Sequence, residues 1–152
     1  FILALITLLQ IAVTEMAVQA AVTEAVKTVA HHYAPVHWMS GKTISEAEQF
    51  LQNKGLPDSL TGWLTQLVGN AADETVWPTV LTPLLRSAAN DSLIEPNRLS
   101  IMSVQLPQDQ SPHGAFVNIV AEYRMMITLP FYSRELILQK NASERAWLGG
   151  VR

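Results

Sequence analysis

Three histidines near a helix end, His31, His32 and His37, are the residues of this chain best placed to do chemistry. Neutral imidazole is a common metal ligand. Adjacent residues on a helix point about 100° apart, so His31 and His32 do not share one ion in regular helix geometry. His37 follows Pro35 and could meet one of them, but no acidic residue or cysteine lies close by to complete a ligand set. Polar or cationic groups near a helix C-terminus interact well with its dipole, and this is the role expected for them. Serine, histidine and aspartate are all present, but no G-x-S-x-G elbow places a nucleophile. Gly149-Gly150 is followed by two residues only and is not expected to cradle phosphate at a helix start. Glu122 and Arg124 fall on one strand face, where a solvated ion pair is expected rather than a catalytic one. Asn141-Ala-Ser143 matches a glycosylation sequon, a short pattern read here as chance. Trp63 and Trp77 sit in helical apolar patterns and read as core, whereas Trp38 is expected at a membrane or subunit boundary. No catalytic, cofactor-binding or metal-binding residue is expected, and the chain reads as a non-enzyme.

The element that dominates the sequence is its beginning. Phe1 to Thr14 carries no charge, and the first ionisable side chain is Glu15. No glycine or proline interrupts the helical pattern before Pro35. Proline disfavours helical geometry at the preceding residue, so the helix is expected to stop at Ala34. To Tyr33 it would be about 50 Å long. Its second half is amphipathic. Val18, Val22, Ala25, Val29 and Tyr33 share one stripe, with Ala21 and Val26 beside it. A membrane span needs about 20 apolar residues, and the uncharged run falls short of that. Either the chain begins inside a longer span, or it is a processed form whose apolar end packs against copies of itself. Gln10 favours protein neighbours over bare lipid, because an unpaired amide in hydrocarbon costs several kcal/mol.

Composition limits the rest. The chain has 152 residues, 15% of them charged, with a net charge of −3. Soluble domains carry about 25% charged residues, and the deficit lies at the N-terminus. The ten Lys and Arg are scattered, which argues against nucleic acid as a partner. The absence of cysteine excludes disulfides and thiolate metal sites.

After the long helix, Val36 to Lys42 reads as a loop. Thr43 and Glu46 form a T-x-x-E capping box for a short helix to Lys54. A further helix runs from Pro57 to Val68. Another, started near Pro78 and troubled by Pro83, reaches Ala89 either whole or as two pieces. Beyond Asn90-Asp91 the texture changes to period two. Strands are expected at Leu99 to Leu106, Ala115 to Leu129 and Glu135 to Trp147, the last two joined through Pro130 and a four-residue connection. Val117, Ile119, Ala121, Tyr123, Met125, Ile127 and Leu129 form the face expected to meet the helices.

Two stretches together carry a family resemblance. One is the apolar helix passing into an Ala/Val/Thr/Glu segment. The other is Tyr123-Arg-Met-Met-Ile-Thr-Leu-Pro-Phe131, followed by Leu136-Ile-Leu138 and Glu144-Arg-Ala-Trp-Leu-Gly149. They resemble the TadE-like pilus-assembly proteins of tight-adherence systems, in the form found in Firmicutes. The resemblance covers both ends of the chain and not its middle. It implies a pseudopilin or minor pilin, inserted in the membrane through its N-terminal helix and processed by a prepilin peptidase. It also implies an early glutamate, where this chain has Leu5 and no acid before Glu15.

The expected fold is α+β and pilin-like: a long N-terminal helix packed on short helices and a C-terminal three-stranded antiparallel sheet. Residues 1–17 form an apolar rod, and residues 18–152 form a head that includes the lower half of the helix. The expected role is a structural subunit of a pilus or pilus-like filament. It would be membrane-inserted before assembly and on the cell surface afterwards. Its partners would be copies of itself and other pilus-assembly components. The assembly surface would comprise Phe1, Ile2, Leu3, Leu5, Ile6, Leu8, Leu9, Ile11 and Val13. The rival role is a monomeric, membrane-anchored accessory pilin or binding domain.

Overall fold

The structure is a computed structural model describing residues 1–39, 46, 49, 53, 62, 77–90, 93–106 and 116–146. Helix α1 spans Ile2–Met39, a length of about 57 Å at the helical rise. Helix α2 spans Trp77–Ala88. A 3-10 turn, Pro96–Arg98, leads into strand β1, Leu99–Gln105. Strands β2, Phe116–Leu129, and β3, Tyr132–Arg145, complete one antiparallel sheet in the order β1-β2-β3. This is the α+β, pilin-like layout expected from the pattern.

Helix α1 continues past the expected stop at Ala34, and Val36 to Met39 are helical rather than loop. A proline removes one N–H donor and adds local strain, but the N–H groups that follow it can still close the next turn. The same holds in α2, which is one helix with Pro83 inside. Pro83 is exposed, and so is Thr79, whose carbonyl would otherwise have received the missing N–H. Water can therefore take the donor's place. One turn earlier, Thr82 Oγ1 donates to the Pro78 carbonyl at 2.6 Å. The expected helices at 43–54 and 57–68 lie outside the described residues, except that Glu46, Gln49, Asn53 and Gly62 are helical and exposed.

The core is built where two periodicities meet. From α1 come Val18, Ala21, Val22, Ala25, Val26, Val29 and Ala30, all buried. This is the expected stripe with Ala30 added, and the side chain of Tyr33, also expected on it, lies outside the described residues. From α2 come Trp77, Val80, Leu81 and Leu85, and from β2 come Val117, Ile119, Ala121 and Tyr123. The odd-numbered face of β2 therefore packs in the core from Val117 to Tyr123, with Met125 against it, whereas Ile127 and Leu129, also expected there, are only half-buried. Small residues at 21, 25 and 30 let the helix backbone lie close to the sheet. The Tyr123 hydroxyl accepts a hydrogen bond from the Glu95 backbone N–H at 3.3 Å, fixing the entry to the 3-10 turn.

Two details differ from the alternation expected. The β2–β3 connection is a two-residue turn, Pro130-Phe131, with Leu129 paired to Tyr132. The four-residue connection overestimated it, because pairing resumes on the first residue after the proline-bearing turn. In β1, Ile101 pairs with Ala121 and Ser103 with Val120, so Met102 is an extra residue. Such a bulge shifts the side-chain alternation by one. Leu99, Ile101 and Val104 then share the core-facing side, while Met102 is exposed.

Candidate functional site

The most unusual surface of the molecule is the free half of α1. An exposed, uncharged helix surface arises because residues 1–14 alternate Leu, Ile, Ala and Val with only Thr7, Gln10 and Thr14 as polar side chains. Phe1, Ile2, Leu3, Leu5, Ile6, Leu8, Leu9 and Val13 are exposed, with Ile11 half-buried. Thr7 Oγ1 donates to the Leu3 carbonyl at 2.9 Å, so this hydroxyl is satisfied within the helix. By length and composition the segment Ile2–His31 is sufficient to cross a membrane. Its second half, however, is already committed to the head's core, so the exposed apolar surface is that of the first half.

The boundary between the halves is fastened to the sheet. Glu15, the first charge in the chain, forms an ion pair with Lys140 of β3. One turn on, Gln19 Nε2 donates to the Asn141 carbonyl at 3.3 Å and to Thr23 Oγ1 at 3.4 Å. Thr23 Oγ1 in turn donates to the Gln19 carbonyl at 2.8 Å. These contacts pin the helix to β3 at the level where the apolar half begins. Beside them lies an open groove of about 610 Å³, lined by Met16, Ala20, Thr23 and Lys27 with the Glu15–Lys140 pair.

A second groove, about 440 Å³, is lined by uncharged side chains. Leu9, Gln10, Val13 and Thr14 form one wall, and Leu93 and Met125 the other. Leu93, in the approach to the 3-10 turn, is 86% exposed. Neither it nor the Glu15–Lys140 contact was expected from the sequence. A lone lysine facing the helix from the even-numbered side of β3 is the only signal the sequence gives.

Of the residues considered for chemistry, few have described side chains. His31 is exposed, and the side chains of His32 and His37 lie outside the described residues, as do Trp38, Trp63 and Trp147. Among the described residues no three His, Asp or Glu side chains converge as a metal site. Glu122 and Arg124 do pair, at 3.2 Å, but not as a solvated pair. Glu122 is buried at 7% exposure and only Arg124 is open to solvent. Pairing with β1 explains the burial, because Ser100 lies opposite Glu122 with its hydroxyl 3.5 Å from the same carboxylate oxygen. Trp77 is buried in the core, as its helical spacing required, with its Nε1 unpartnered among the described residues.

What this arrangement can do is physical. It offers an apolar helix segment leading away from a core that begins at Val18, and no constellation for proton or group transfer among the described residues. A scan of family models, a search of curated proteins and a search of solved structures found no match to the chain.

Proposed function

We propose that this chain is a structural subunit of a pilus or pilus-like filament, held in the membrane by the first half of α1 and assembled through it. The observation that carries the reading is the change of burial along one helix. Phe1 to Val13 is apolar and largely exposed, whereas Val18 to Ala30 is the spine of the core. A helix that is apolar all round belongs in lipid or in a bundle. At about 25 cal/mol per Å² of apolar surface, burying its Leu and Ile side chains would supply many kcal/mol per subunit. The role is structural rather than catalytic, and the partners are copies of the same chain. The resemblance of the two chain ends to TadE-like proteins points the same way.

Leu5 and Leu9 are the residues on which to test it. Both are exposed, so Leu5→Asp or Leu9→Asp leaves the head's core untouched. Each variant is expected to keep the circular dichroism and melting curve of the head, and to lose membrane retention and filament formation in electron micrographs. Normal retention and assembly by both variants would reject the proposal. A wild-type chain that stays in the membrane and forms no filaments would assign it the accessory role instead.

A further inference from the structure

The outer half of the β2–β3 hairpin lies along the apolar half of α1. Its contacts set the path. Asn141 meets Gln19, and Lys140 meets Glu15. Met125, paired to Leu136, shares a groove with Leu9 and Val13. Each step toward the turn is a step toward the N-terminus of the helix. On the helix, Thr7 and Ile11 are half-buried between exposed neighbours, Thr14 is half-buried, and Val18 is buried. Spacings of four, three and four put these residues on one stripe, the side along which the hairpin runs. Five residues beyond Met125 the hairpin turns at Pro130-Phe131. That reach is roughly 17 Å of strand, or about eleven residues of helix, so the tip stands level with the first residues of α1.

That part of the hairpin is not built to follow the rod into lipid. β1 pairs with β2 only as far as Leu99 opposite Tyr123. Residues 124–129 and 132–137 therefore form a two-stranded ribbon, and among the described residues neither outer edge has a strand beside it. Water satisfies such edges. Hydrocarbon does not, and each bare N–H or C=O there costs several kcal/mol. Arg124, Arg134 and Glu135 are exposed on the same ribbon, and charges at membrane depth add to the cost. The ribbon is also lightly held. Met125 and Leu138 are its last side chains packed against the core. Where Met125 faces Leu9 and Val13 there is an open groove of about 440 Å³.

We infer that the ribbon is a strap with two seatings: along α1 while the rod is outside lipid, and turned away from α1 once the rod is inserted. This rests on the reading of α1 as a membrane helix. The polar contacts of Glu15 and Gln19 with β3 lie at the base of the ribbon and stay closed in both seatings. Insertion then requires the ribbon to leave its seat. Its return as the rod leaves the membrane covers the stripe of Thr7, Ile11 and Thr14 again, and leaves the other side of the rod open to further copies.

The chain has no cysteine, so two introduced thiols can be bridged selectively. The full chain carrying Leu9→Cys and Met125→Cys, which line one groove, would be bridged in dilute lipid-free buffer with a short bis-methanethiosulfonate. Mass spectrometry would confirm that the bridge lies within one chain. Bridged and unbridged chains would then be reconstituted into phosphatidylcholine–phosphatidylglycerol vesicles by detergent removal, and insertion read as resistance to carbonate extraction. The bridged chain is expected to be extracted. The unbridged chain, each single-cysteine chain capped with a monofunctional reagent, and the bridged chain reduced with dithiothreitol before reconstitution are expected to resist. The melting curve of the head is expected to be the same in all of them. A bridged chain that resists extraction as fully as its reduced form would overturn the strap and leave the membrane helix standing. Failure of the bridge to form in buffer would overturn it too, because ribbon and rod would not share a seat. Extraction of the unmodified chain would overturn the membrane reading, and the strap with it.

Discussion

Two ion pairs in this molecule look alike on a list of contacts and differ in what their loss should cost. Lys140 and Glu15 have side chains 24% and 46% exposed. Water screens such a pair and replaces either partner, so Lys140→Ala is expected to cost about 0.2–1 kcal/mol, and less at high salt. The Glu122 side chain is only 10% exposed, against 57% for Arg124. Removing the guanidinium leaves a buried carboxylate whose remaining hydrogen-bond partner among the described residues is the Ser100 hydroxyl. Arg124→Ala is therefore expected to cost about 1–3 kcal/mol, because the penalty is the desolvated charge left behind. Adding Glu122→Gln should recover part of that loss by removing the charge. Urea titrations of the three variants would check the order. Equal costs for the two single variants would mean that Glu122 is solvated in solution.

At the scale of elements, the bulge in β1 decides which side chains meet the core. Strict alternation from Leu99 would put Ser103 inward, but the extra residue Met102 brings Val104 inward instead. Ser103→Lys is thus expected to change stability within about 0.5 kcal/mol, and Val104→Lys to cost about 1–3 kcal/mol by forcing an amine against apolar neighbours. Thermal melts of the pair would show the asymmetry, and the reverse order would place the bulge elsewhere. The shift is written in the sequence as Leu99-x-Ile101-x-x-Val104-x-Leu106, where one gap is longer than the others. The rest of the sheet was legible because alternation over fourteen residues in β2 has no competing reading. The α1 stripe was legible for the same reason at period 3.6. The stop at Pro35 was misread because a proline's local penalty is outweighed when the turns on both sides are helical. The fastening of α1 to β3 left no more trace in the sequence than a lone lysine on the even-numbered side of β3. Glu15 and Lys140 are 125 residues apart, and only the fold brings them together.

The whole molecule is asymmetric in what it needs from its longest helix. Four valines, Val18, Val22, Val26 and Val29, are essentially fully buried against the sheet and α2. At about 1.5–3 kcal/mol for each fully buried side chain, their loss would rival the 5–15 kcal/mol by which domains are ordinarily stable. A chain truncated to begin at Pro35 would also uncover Val117, Ile119 and Ala121 of β2. It is expected to aggregate or to melt without a cooperative transition, and to bind an apolar dye strongly. A chain truncated to begin at Glu15 keeps every one of those contacts and the Lys140 pair. It loses the exposed apolar surface and the wall that Leu9 to Thr14 present to Leu93 and Met125, but no residue of the core, so it should be soluble and melt cooperatively. Calorimetry of the two truncated chains separates the roles of the helix. A sharp transition in the chain from Pro35 would show that the spine is dispensable. Aggregation of the chain from Glu15 would show that the first half of α1 stabilises the head as well as extending from it.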